Sequence, residues 1–308
     1  MTLESDTPLQ HKVEESRHIP VLVDEVVDDL NCLKGKVYID STLGEGGHAQ
    51  RILEAILPGG FLIGIDQDGE AIRRAKENLK KYRENLLTFE RNFSEIGTIL
   101  ESLKIKEVDG ILFDLGLSNL QLQDAKRGFS FQRDGPLDMR MSEKTKLTAG
   151  YLLNTLSFDE LAEILSNYGE EHWARRIARA VVEFRQKRPL ETTFQLVELI
   201  KRAVPRSAWP RKIHVATRSF QALRIAVNGE LMALEKTLPQ AVGCLKKGGR
   251  ICIISYHSLE DRIVKNFFRE YRRQGLKTVF PKPVTPSRRE LQMNPRSRSA
   301  KLRVGEMC

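Results

Sequence analysis

The sequence predicts an α/β fold: a mostly parallel sheet covered by helices and interrupted by an all-helical insertion. Three observations predict it. Short apolar stretches alternate with amphipathic helical patterns up to Asp114, which is the signature of strands joined by right-handed crossovers. The alternation then stops for roughly a hundred residues in which only helical periodicity remains. It resumes with one further apolar stretch, Arg250 to Ser255.

The elements follow in order. Residues 1–17 have no periodicity and read as a flexible leader. From Pro20, which suits a first helical turn, Leu22, Val23, Val26, Val27 and Leu30 recur at helical spacing. Strands are expected at Val37 to Asp40, Phe61 to Asp66, Leu87 to Arg91 and Gly110 to Asp114, with helices near 49–57, 70–82 and 94–103 between them. Residues 125–142, rich in Gly, Asp and Arg, read as a loop. Helices follow near 158–168, 172–186 and 193–204. One long amphipathic pattern spans Thr217 to Leu245, with Gly248 and Gly249 as its stop. Ser258, with Asp261 three residues on, reads as a capping box opening the last long helix. Thr278 to Phe280 and Ala300 to Val304 offer two strands for a sheet edge. The expected division is 18–124 and 215–308 for the two parts of the sheet domain, and 125–214 for the insertion.

Composition excludes whole classes. The 308 residues suffice for one large domain or two smaller ones. No apolar run approaches the roughly 20 residues needed to span a bilayer. The polar, partly acidic start fits neither a secretory signal nor an Arg-rich transit peptide. Cys32, Cys244, Cys252 and Cys308 are scattered, without metal-ligand spacing, so no metal site is expected and a reducing cytoplasm is the default location. Charge is segregated. Residues 1–171 carry 20 basic and 31 acidic side chains, whereas 172–224 and 262–308 each carry 13 basic and 3 acidic. Two basic tracts of this kind suit a polyanion, and nucleic acid is the commonest in a cytoplasm.

The strongest single motif is VYIDSTLGEGGHA, Val37 to Ala49: a strand ending in an acid, then Gly44, Gly46 and Gly47, then a helix. Such glycines let backbone approach a ligand closely at a helix N-terminus. Twenty-two residues after Gly44 the second strand ends in Asp66, whose carboxylate can accept both hydroxyls of a ribose. An adenosine-containing cofactor in a Rossmann-like domain is the natural occupant. Gly44-x-Gly46-x-x-Ala49 also satisfies the dinucleotide fingerprint, which keeps an NAD-dependent oxidoreductase open. Against it, the Asp40 carboxylate repels a pyrophosphate but attracts the ammonium or sulfonium of S-adenosylmethionine (SAM), and Asp114 ends the fourth strand where the reactive methyl is expected. A non-catalytic RNA-binding protein is the remaining alternative.

These segments resemble a known family. HIPVLVDE, YIDSTLGEGGHA, DGILFDLGLS, RGFSFQRDGPLDMRM, YGEEHWARRIARAV, ATRSFQALRIAVNGEL, SYHSLEDRIVK and NPRSRSAKLR are similar to the bacterial RsmH (MraW) family of small-subunit ribosomal RNA cytosine N4-methyltransferases. The resemblance runs from His18 nearly to the end of the sequence. It implies a class I SAM-dependent methyltransferase fold with a helical insertion, and methylation of the exocyclic N4 of one cytosine in the decoding centre of 16S ribosomal RNA. Cofactor contacts are implied at Gly46, Gly47, His48, Asp66, Phe93, Asp114 and Gln121. Tyr256 stands where the family usually has Phe, and the residues around Gln121 depart from the usual pattern.

Chemistry narrows the remaining candidates. Cytosine N4 is a poor nucleophile, so an acceptor for its proton is needed. Many amino-methyltransferases carry an Asp/Asn/Ser-Pro-Pro-aromatic motif after the fourth strand; here the stretch is Asp114-Leu115-Gly116-Leu117. Asp114 is the expected acceptor, unless it serves only the cofactor. Phe129, Phe131 and Tyr256 are expected to stack on an unstacked base. His257 is either a base, a helix-entry hydrogen bond or a phosphate contact. Arg140 is expected to touch substrate, with Asp138 either catalytic or bracing it, while Met139 and Met141 pack between the domains. Monomer and homodimer both remain open.

Overall fold

Seven strands form one sheet in the computed structural model, which describes residues 20–308; the expected leader and His18 lie outside the described residues. The strands are β1 (Val37–Asp40), β2 (Phe61–Asp66), β3 (Leu86–Glu90), β4 (Val108–Asp114), β5 (Leu245–Ser255), β6 (Leu276–Thr278) and β7 (Lys301–Met307). Their order is β3-β2-β1-β4-β5-β7-β6, with the first five parallel and β7 antiparallel to both its neighbours. Chain order reverses at β1, which lies between β2 and β4, and the C-terminal ends of these strands open a crevice there.

Alternation along the strands fills two cores. Ile39, Ile63, Ile65, Ile111, Phe113, Ile251 and Ile253 face one side, under α4 (Ile96–Ser102), α11 (Glu230–Gly243) and α12 (Ser258–Tyr271). Tyr38, Leu62, Leu112, Cys252 and Ile254 face the other, under α1 (Val23–Asp29), α2 (Gly47–Ile56) and α3 (Gly69–Asn78). Burial on both faces explains why these strands are continuous apolar runs. The two C-terminal strands do pair, but β7 lies inside the sheet between β5 and β6.

Between β4 and β5 run α5 (Asn119–Gln123), α6 (Ala149–Thr155), α7 (Phe158–Gly169), α8 (Ala174–Arg185), α9 (Thr193–Ala203) and α10 (Thr217–Asn228) ahead of α11; α13 (Arg288–Met293) lies in the tail. Helices α6 to α10 share a third apolar cluster. The expected single helix over 217–245 is two, broken at Gly229 with φ of 60°, which ends α10 and starts α11. The break changes partners: α10 packs against α7 and α6, whereas α11 lies on the sheet. The helical cluster therefore runs on to Val227, past residue 214 where the sequence reading ends the insertion. Gly248 and Gly249 sit within β5, and α11 has already ended at Gly243.

Candidate active site

The glycine loop and the tip of β2 are tied together. Gly44 donates its N–H to Asp66 Oδ2 at 2.8 Å, and Asp68 donates to Asp66 Oδ1 at 2.9 Å. Burial pushes the Asp66 carboxyl up to about 6, although both N–H groups favour its ionised form. Gly46, the N-cap of α2, has φ of 88°, and a Cβ there would lie 2.7 Å from Leu79. Only glycine fits this turn.

A cleft of about 1170 Å³ opens between the loops that follow β1, β2, β4 and β5. Of the expected site residues, Gly47, His48, Asp66, Phe93, Asp114, Gln121 and Tyr256 line it, with Gly46 directly behind at the helix start. The Phe93 ring is held edge-on against Phe113, centroids 5.7 Å apart. Gln121 is buried; its side chain closes a capping box with Ser118 and donates to Asp68 Oδ2 at 2.8 Å. Arg127 reaches the same oxygen at 2.9 Å and donates to the backbone carbonyls of Arg140 and Met141. Sequence reasoning missed Asp68 and Arg127. The one local signal was Asp68 as N-cap of α3.

At the tip of β4 the Asp114 carboxylate sits between two rings. The Tyr256 hydroxyl donates to Oδ1 at 2.7 Å, and His48 Nδ1 lies 3.6 Å from Oδ2. His48 Nε2 is 2.9 Å from the Val21 carbonyl, which can only accept, so that nitrogen carries a proton. The backbone is pinned too, because Asp114 N–H donates to Thr42 Oγ1. Behind this corner Asp40 is buried. Its Oδ1 accepts from Thr42 N–H at 3.2 Å, and its Oδ2 has no hydrogen-bond partner. Burial pushes the Asp40 carboxyl up to about 7; His48 opposes the rise, and Asp114 and Asp66 add to it.

Four expected site residues are not on the cleft. Phe129 is packed inside the helical cluster, with the Arg127 guanidinium over its ring. Phe131 is stacked on His214, centroids 4.7 Å apart, and meets Phe220 edge-on. Their faces are thus used by packing rather than offered to a base. Arg140 is bound by Asp138 through two nitrogens and also donates to the Thr145 carbonyl, so the expected brace forms. His257 is the N-cap of α12: Nδ1 accepts the Glu260 N–H, and Nε2 lies 3.1 Å from Glu260 Oε1. With both ring nitrogens engaged, no lone pair remains for a base. The capping box is therefore His257 with Glu260, one residue earlier than expected.

The charged groups lining the cleft are Glu45, Asp66, Asp114, Glu230 and Glu260, with His48 and without a single Lys or Arg among the described residues. Glu230 is held by Arg224 through two hydrogen bonds of 2.8 and 2.9 Å. This lining repels a pyrophosphate and suits a cation. Comparison with known proteins agrees with the exclusion: residues 15–308 match the MraW methylase family over its profile. The chain belongs to the MraW methylase family. Relatives named ribosomal RNA small subunit methyltransferase H are 50% identical in Halothermothrix orenii and in Geotalea uraniireducens, and 49% in Geobacter sulfurreducens. Each alignment covers 94% of this chain and 98% of the relative. The chain is accordingly a SAM-dependent methyltransferase of the class I, Rossmann-like fold, and the oxidoreductase and non-catalytic alternatives fall away. Among the described residues no helix is long and apolar enough to cross a membrane. No group of three or more His, Cys, Asp or Glu there could hold a metal ion.

Proposed function

We propose that this methylase transfers a methyl group to the exocyclic N4 of one cytosine in the decoding centre of 16S ribosomal RNA, within the small ribosomal subunit. The observation that carries the reading is the Asp114 carboxylate, fixed on an acidic cleft at the switch point of the sheet. The residues fit SAM. The orphaned, buried Asp40 Oδ2 and a lining free of Lys and Arg among the described residues favour a ligand that brings positive charge. Asp66 would accept from the ribose hydroxyls, Phe93 would cover the adenine, and Gly46, Gly47 and His48 would hold the amino-acid end. Gln121 acts near the methionine portion by ordering the loop after β4. SAM supplies an electrophilic methyl on a sulfonium.

The chain's own task is to place N4 in line with that methyl, near 3 Å, and to receive a proton. Asp114 accepts a hydrogen bond from N4–H, which draws the amino lone pair out of the ring. With SAM supplying the methyl, Asp114 would receive the proton that N4 loses as it is methylated. The basic tracts bind the RNA backbone outside the cleft.

The test gives the protein labelled SAM with naked ribosomal RNA, assembled small subunits or DNA, and maps the labelled nucleoside. N4-methylcytosine in 16S RNA is expected; label on adenine or on DNA cytosine refutes the substrate. Asp114→Ala is expected to abolish transfer at saturating SAM, and a wild-type rate refutes its role.

A further inference from the structure

The loop after β4 and the turn after β5 meet at one hydrogen bond whose geometry the transfer reaction does not by itself require. The Tyr256 ring lies against Gly116, where a Cβ would come within 3.3 Å of it and where φ is 110°. Its backbone N–H is held by Glu260 Oε2 at 2.8 Å. Fixed from both sides, the phenol has its hydroxyl 2.7 Å from Asp114 Oδ1, the length of a strong hydrogen bond to a carboxylate. We infer that Tyr256 is a positioning residue: its hydroxyl fixes the rotamer of Asp114 and holds the carboxylate ionised, so that the proton acceptor stays competent in acidic solution. This rests on the reading of Asp114 as the acceptor.

The electrostatics of the corner support the assignment. A phenol that donates to a carboxylate stabilises its charged form and lowers its pKa. Among the described residues, His48 on α2, 3.6 Å from Oδ2, and Asp40 at the end of β1 also face Asp114. Glu260 of α12 and Glu290 of α13 face the phenol. Burial, and then the Asp114 charge, push the phenol far above its ordinary range, so it is a donor at every working pH. The Asp114 charge adds to the rise of the Asp40 carboxyl, and Tyr256 is the uncharged donor set beside Asp114.

The sign is definite. Transfer needs Asp114 ionised, so the rate is lost as pH falls through its pKa; removing the donor raises that pKa. The test is the pH–rate profile of Tyr256→Phe at saturating SAM, on small subunits, from pH 5 to 9. The expected result is an acid limb displaced upward by about one pH unit, with a rate about 10-fold lower well below the limb and equal to wild type on the plateau above it. SAM affinity, measured by calorimetry, stays within about twofold. An acid limb that does not move overturns the assignment, as does a uniform loss of rate at all pH values, which is what a merely structural ring gives. Asp114→Asn separates the two levels. If it is inactive and the Tyr256→Phe limb is unmoved, the role of Tyr256 alone fails. If Asp114→Asn transfers at the wild-type rate, the reading of Asp114 fails and this inference with it.

Discussion

Among single residues, Asp40 is the one whose chemistry is most at odds with its surroundings. It ends β1, it is buried, and one carboxylate oxygen has no partner. Its pKa stands at about 7 where an ordinary aspartate has 3.8, so the folded chain holds this proton more tightly than the unfolded one. The associated stability is complete below about pH 4 and is lost as pH rises through 7. The effect is on the order of a few kcal/mol. Asp40→Asn keeps the shape, and an oxygen to accept the Thr42 N–H, without the charge. Its melting temperature without SAM should exceed wild type by roughly 5 °C at pH 8, and the gap should shrink as pH falls and close near about pH 4. Thermal scans across that range check it; a gap independent of pH contradicts the assignment of the charge to Asp40.

Helix α12 shows where local sequence rules end and tertiary partners begin. Its start reads as a capping box of Ser258 with Asp261, whereas the box that forms is His257 with Glu260. The fold chooses because Asp261 is taken by Lys301 and Arg303 of β7, at 3.0 and 2.7 Å, and Ser258 by Glu170 of the insertion. Both partners are distant in sequence. The strand ends bearing Asp40, Asp66 and Asp114 were legible because apolar runs buried on both faces stand out. The Gly46 turn was legible for a similar reason, since glycine alone serves there. The break at Gly229 was hidden because α10 and α11 keep one continuous amphipathic pattern while burying it against different cores. Phe129 and Phe131 misled because an aromatic ring in a loop gives no sign of whether packing has claimed its face. If His257 is a cap and not a base, His257→Asn keeps transfer and stability. His257→Ala should lower the melting temperature by about 2–4 °C, the loss of about 1 kcal/mol of capping, while kcat stays within about threefold. A collapse of kcat in the Asn variant restores the catalytic role.

Across the whole molecule, acid and base are sorted into an inside and an outside. The cleft is acidic, and the excess of Lys and Arg lies in the insertion and the tail. Much of that excess is structural. Arg185 donates to the Leu153 and Leu156 carbonyls, Arg224 is bound to Glu230, and Arg303 to Asp261. The exposed remainder is better placed than the sequence implied. The two basic tracts are far apart in sequence, but Arg298 of the tail donates to the Lys212 carbonyl at 3.4 Å, so they meet. The tail also reaches the cleft edge, where Glu290 accepts the Leu22 N–H two residues after Pro20, itself a lining residue. Arg211, Lys212, Arg296 and Arg298 are exposed where the two tracts meet, and we take them as one basic rim for RNA. A strand lying on this rim can hold its phosphates outside while one base enters the acidic interior. Each phosphate contact to single-stranded RNA contributes about 0.7 to the slope of log K against log salt. The pair Arg211→Ala with Lys212→Ala, and the pair Arg296→Ala with Arg298→Ala, should therefore each reduce that slope by about 1.4. Filter binding from 50 to about 300 mM salt reads the slope, and calorimetry reads SAM affinity, which should not change. An unchanged slope in either pair breaks the continuous rim at that half. Parallel loss of SAM affinity instead means the tail shapes the cleft itself, and the division between an RNA-binding exterior and a cofactor-binding interior fails.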